Sequence, residues 1–158
     1  MPTLILFAAL GCGLVSGIFF AFSTFIMQGL DRLAPEQGIA AMQSINRLAI
    51  TPLFMTALFA TALLCVALIV WAALAWDRPQ ARWIAPAGAL YLIGSIGVTI
   101  AANVPRNEAL DKLDPAAASS AARWSTYVSE WLVFNHVRTI SALIAAGLLT
   151  YALTLDDN

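Results

Sequence analysis

Apolar residues in this chain run on in long blocks rather than recurring with the period of a soluble amphipathic helix. Residues 1–30, 48–76, 83–105 and 139–155 contain no charged side chain. A helix needs about 20 residues to cross the hydrocarbon core of a bilayer, so the first three blocks span it, and the fourth does so if its helix starts near His136. The pattern predicts four transmembrane helices, at residues 4–30, 49–76, 83–104 and 132–155.

The connections carry their own signals. In "DRLAPEQGIAAMQSINR", Pro35 marks a helix start, and Ile39, Met42 and Ile45 follow at helical spacing. This predicts a short amphipathic helix along the membrane interface. "DRPQAR" is a tight polar turn between the second and third spans. Pro52 sits where the first turn of a helix tolerates it, whereas Pro105 is expected to end or kink the third helix. The last connection, "RNEALDKLDPAAASSAARWSTYVSEW", is Ala-rich with Pro115 at a start position, and reads as a helix running into the fourth span. Gly13 and Gly17, with Ala21 one turn on, form a small-residue face on which another helix is expected to pack closely. The expected architecture is all-α: one integral membrane four-helix bundle over residues 1–158, with short interfacial helices in its two long loops.

Composition reinforces the membrane assignment: 61% of the 158 residues are hydrophobic and 11% charged. Mean hydropathy is +0.82, and a soluble domain is roughly 45–50% apolar. The first block lacks a basic head and exceeds a signal peptide's apolar stretch, so it is expected to stay in the protein. Cys12 and Cys65 each lie inside an apolar block, which offers neither a disulfide framework nor a CxxC thiol pair. With a net charge of −1 and no basic cluster, nucleic acid is dropped as a partner. Arg78 and Arg82 flank the short turn, against Arg32, Arg47, Arg106, Lys112 and Arg123 in the long loops. This bias leans towards long loops in the cytoplasm. The expected location is the bacterial inner membrane.

Candidate chemistry gathers at one end. Alternate connectivity brings Ser23, Arg47, Asn103, Asn135, His136 and Arg138 to the long-loop side of the bundle. Along a continuous last helix, Trp124, Tyr127, Trp131, Asn135 and Arg138 recur at spacings of 3, 4, 4 and 3 and share one face. Asn103 and Asn107 bracket Pro105, which leaves the carbonyl of residue 101 without its helical partner. Polar groups inside a membrane are expensive and tend to be functional. Each also has a plainer reading: Trp124 and Tyr127 as an interfacial belt, Arg138 as a snorkelling anchor, His136 as an exposed or capping residue, Asn103 and Asn107 as helix caps.

The segments "GIFFAFSTFIM" (17–27), "AMQSIN" (41–46), "NVPRNEAL" (103–110) and "WSTYVSEWLVFNHVR" (124–138) resemble the recurring blocks of the anthrone-oxygenase-like membrane proteins. The resemblance implies oxidation of an anthrone to an anthraquinone by dioxygen, as in the fungal members, with no cofactor. It carries over to Asn103, Pro105 and Asn107 and to Trp124, Trp131, Asn135, His136 and Arg138.

Such chemistry needs a base, donors for a developing oxyanion and a dry aromatic slot. His136, the only histidine, is the expected base. Asn135, Asn103 and Arg138 are the expected oxyanion partners. Trp124, Tyr127, Trp131, Phe20, Phe134, Ser23 and Asn107 are the expected substrate-binding residues. A lone histidine supplies neither bis-histidine haem nor a two-histidine iron site, there is no GxGxxG or phosphate loop, and no cofactor or metal is expected. The expected partners are membrane lipid and a hydrophobic aromatic small molecule, with room for a homo-oligomer. Two function classes stay open. One is a small oxygenase or oxidoreductase acting on a planar phenolic or anthrone/quinone-like compound. The other is a non-enzymatic bundle that binds a lipid or quinone head group or serves in a larger complex.

Overall fold

Proline positions set the helix starts. Ala34 and Thr51 are extended, as residues before proline prefer to be, and helices begin at Pro35 and Pro52 immediately after them. The computed structural model describes residues 1–155. It comprises α1 (Pro2–Asp31), α2 (Pro35–Leu48), α3 (Pro52–Leu74), α4 (Ala81–Asp111) and α5 (Ser120–Ala152). All but α2 are long and apolar enough to cross a membrane. The protein is an all-α integral membrane bundle.

Helix ends depart from expectation in two places. Pro105 does not end α4: the helix continues to Asp111, and a π-helical stretch at Thr99–Asn103 widens the turn before the proline so that the Val104 N–H bonds to the Thr99 carbonyl. The Ala102 carbonyl there also accepts from Nη1 of Arg106 at 2.9 Å. Pro115 does not start α5, which begins five residues later. The Asp114 side chain accepts the Ala116 N–H at 3.0 Å, and the Asp114 backbone carbonyl accepts from Ser120 Oγ at 2.7 Å. Aspartate thus captures the chain in a turn before the helix can form.

The chain runs up, down, up and down, with α5 packed against both α1 and α4. One apolar core, including Ile5, Val15, Leu68, Ile84, Tyr91 and Leu149, fills the end near the short turn. A second core, built from Met27, Ile39, Met42, Leu110, Trp124, Tyr127, Val128 and Trp131, fills the long-loop end. Here α2 lays Ile39 and Met42 over the bundle, while Gln43 Nε2 donates to the carbonyls of Leu110 and Leu113, both at 3.0 Å, and caps α4. Large side chains such as Leu10, Leu53, Leu63, Leu74, Ile93 and Leu143 face outward, where lipid solvates them.

Close helix contacts fall on other glycines than the expected ones. A Cβ at Gly13 or Gly17 would meet nothing within 4 Å, so that small-residue face is not a contact within the bundle. Gly11 lies against Thr61, Gly88 against Ile69 and the Cys65 carbonyl, and Gly94 against Ser141. Backbone approach at these three points sets the spacing of α1 to α3, of α3 to α4 and of α4 to α5.

Candidate functional site

Between the two apolar cores lies a layer of buried polar side chains. The face that spacing places on α5 is the face it buries: Trp124, Tyr127, Trp131, Asn135 and Arg138 all point into the bundle. Asn135 is fully buried; its Nδ2 donates to the Phe19 carbonyl at 2.7 Å and to Ser23 Oγ at 2.8 Å. A π-helical turn at Phe22–Ile26 widens α1 beside that carbonyl. Thr139 gives its one hydroxyl proton to the Asn135 carbonyl at 2.8 Å, so Ser23, 3.2 Å from Thr139 Oγ1, is the donor in that pair. Every proton between α1 and α5 here is thereby assigned.

Arg138 is the unusual member. Only 5% exposed, its guanidinium donates from Nη2 to Asn135 Oδ1 at 2.6 Å and from Nη1 to Thr99 Oγ1 at 3.2 Å. Its Cζ lies 4.1 Å from the Phe19 ring centroid and 5.1 Å from that of Trp131. Aromatic faces thus stabilise the cation where a carboxylate is the usual partner. Nε has no partner among the described residues. Arg138 does not snorkel, and it does not reach a carbonyl beside Pro105.

The rest of the stripe closes over this layer. Asn103 Nδ2 donates to the Trp131 carbonyl at 3.2 Å, and its buried Oδ1 has no partner among the described residues. Asn107 Oδ1 accepts from the Tyr127 hydroxyl and from Trp131 Nε1, both at 2.9 Å. Trp124 stacks on Tyr127 with centroids 5.7 Å apart and packs against Gly38 of α2, whose hydrogen leaves room for the indole.

Two expected site residues lie elsewhere. His136 is exposed and joins none of the cluster's hydrogen bonds. One residue on from Asn135, it is turned about 100° around the helix and leaves the bundle. The expectation that it works as a base beside Asn103 and Asn135 is therefore corrected. Phe20 is 56% exposed on the outer face of α1, for the same reason one residue after Phe19. Phe134 is half-buried, with the Arg106 guanidinium 4.4 Å above its ring.

A groove of about 350 Å³ opens beside the stripe, between the end of α4 and the head of α5. Ala109, Leu110, Leu113 and Ala122 give it apolar walls, Tyr127 lines it, and Arg106, Arg123 and Glu130 supply its charges. Arg106 Nε is paired with Glu130 at 3.0 Å. Sequence spacing did not single out Arg106, Arg123, Glu130 or Thr99 as site residues. Thr99 was findable, since Thr99, Asn103 and Asn107 recur four apart along α4. Among the described residues, no three His, Cys, Asp or Glu side chains converge where a metal would bind.

A family model described as anthrone oxygenase matches residues 52–148, more than half of the chain. The chain belongs to the anthrone oxygenase family. No curated protein and no solved structure matches it. The anthrone oxygenase match takes in Thr99, Asn103, Asn107, both groove walls and the whole α5 stripe, while Phe19 and Ser23 of α1 lie outside it. Membership indicates an oxygenase-like function in general terms.

Proposed function

We propose that the protein oxidises a planar phenolic or anthrone/quinone-like compound with dioxygen, and that the groove at the head of α5 is where the compound sits. The observation that carries this reading is the groove itself. It has the volume of a small-ligand site, an aromatic side chain in its lining, apolar walls, and a carboxylate held 3.0 Å from a guanidinium.

An anthrone carries an acidic methylene opposite its carbonyl. In the groove, Glu130 takes a proton from that carbon, and the electron pair moves onto the carbonyl oxygen as a phenolate-like oxyanion. Arg106, freed in part from Glu130 as the carboxylate is protonated, holds that oxyanion. The carbanion form gives its electrons to dioxygen, the resulting peroxide loses water, and the methylene becomes the second carbonyl. Methylene and dioxygen yield carbonyl and water, so the balance needs no further reductant.

Arg138 contributes as a fixed charge behind the lining. A buried cation behind the lining favours the ionised form of a substrate, because a nearby opposite charge stabilises an oxyanion.

The test is oxygen uptake by the purified protein in lipid nanodiscs with an anthrone as substrate. Quinone formation above the rate of spontaneous autoxidation, one quinone per dioxygen, is the expected result. A rate equal to that of protein-free nanodiscs overturns the proposal.

A second reading has its own observation. Trp124 and Trp131 are both at least 96% buried, and neither lines the groove. That packing suits a non-enzymatic bundle whose polar layer fixes the helices and whose groove holds a quinone or lipid head group.

A further inference from the structure

The groove's charges are unevenly used, which bears on what the substrate must look like. Arg106 is engaged at both ends of its guanidinium, by Glu130 through Nε and by the Ala102 carbonyl through Nη1. The Tyr127 hydroxyl is committed to Asn107, and the Thr126 hydroxyl donates back to the Ala122 carbonyl at 3.2 Å. Arg123 also lines the groove, and among the described residues it is joined to no partner. The groove thus holds two cations and one anion, and the unmatched charge sits on Arg123.

Position sharpens this. Arg123 and Glu130 lie seven residues apart on α5, on the same face as Thr126, which places them about 10 Å apart along the axis. An anthrone's acidic carbon lies in its central ring, so a carboxylate on an outer ring is roughly 6 Å away, and a contact of about 3 Å at each end brings the span to about that separation. A compound with its acidic carbon at Glu130 therefore brings an outer-ring carboxylate within reach of Arg123.

We infer that the groove selects an aromatic acid: a planar fused-ring substrate that carries a carboxylate, which Arg123 binds as a specificity-determining residue. The inference rests on the groove being the substrate site proposed above. A planar guanidinium binds carboxylate through two parallel hydrogen bonds, an arrangement that lysine does not reproduce. A phospholipid head group offers the same anionic oxygens, but the apolar walls and Tyr127 favour a flat ring system over a phosphate.

The test uses binding alone, so that its failure is separable from failure of the oxygenase reading. Anthraquinone-2-carboxylate and its methyl ester share one ring system and differ in charge. Their affinities are measured by calorimetry on the protein in nanodiscs of zwitterionic lipid. The parent protein is expected to bind the acid about tenfold more tightly than the ester, which is about 1.4 kcal/mol at 25 °C. In Arg123→Gln the ratio is expected to fall to about one, and in Arg123→Lys to an intermediate value. Equal binding of acid and ester by the parent, or a preference that survives Arg123→Gln, overturns the inference. So does complete displacement of the acid by a few per cent of anionic phospholipid, which assigns the cation to the lipid head group. Acid preference without anthrone turnover would leave this inference standing and remove the oxygenase reading.

Discussion

Arg138 and His136 stand two residues apart and meet opposite environments, and the difference is angular. Helical spacing placed Arg138 with Asn135 and Trp131, and it is buried with them. The same periodicity turns His136 out of the bundle, so titration chemistry that marks it in the sequence does not make it part of the site. His136→Ala is accordingly expected to leave anthrone turnover within about twofold of the parent, measured by quinone absorbance. The Arg138 network makes the opposite forecast for stability. Lysine in place of Arg138 keeps the charge but cannot hold Asn135 and Thr99 while lying flat between Phe19 and Trp131. Arg138→Lys should therefore lower the melting temperature in detergent, by a loss on the order of 2 kcal/mol. An unchanged melting temperature would mean that the rings and hydrogen bonds around Arg138 contribute nothing to stability.

Among the elements, the α5 face was legible because one helix carries the whole pattern and needs only its own period. The groove was not, because Arg106, Arg123 and Glu130 come together only through the crossing of α4 with α5. The small-residue face of α1 misled for a related reason. Spacing shows that Gly13 and Gly17 share a face, but not which neighbour that face meets. Close approach instead occurs at Gly94, where a Cβ would run into Ser141. Gly94→Val should push α4 from α5, lowering thermal stability in detergent by about 2 kcal/mol or more, whereas Gly13→Ala should be neutral or nearly so. Equal sensitivity at the two positions would contradict this packing. Aspartate at 114 explains the displaced start of α5, and the π-helical turn at 99–103 accompanies the uninterrupted α4. They depend on side-chain capture and helix widening, which apolar periodicity does not report.

On the scale of the whole molecule, four charge-free blocks sufficed for the bundle, because a bilayer leaves helices as the natural way to satisfy a spanning backbone. The same alternation puts Gln37 of α2 and the turn at Ser119 on one side of the membrane. Single cysteines at these positions, in a background without Cys12 and Cys65, are expected to label with a membrane-impermeant maleimide from the same side. Labelling from opposite sides would require a different number of spans. What the blocks could not disclose is that the polar layer lies between two apolar cores while the cavity opens beside it, at Tyr127. The central claim is that chemistry takes place in that groove and draws its base from Glu130. Its most direct test compares dioxygen uptake on an anthrone by the parent, Glu130→Gln and His136→Ala in the same nanodiscs. The account predicts a fall of roughly 10²–10⁴-fold in the catalysed rate for Glu130→Gln, the usual worth of a general base, with His136→Ala close to the parent; full activity in Glu130→Gln, or loss of it in His136→Ala, would contradict it.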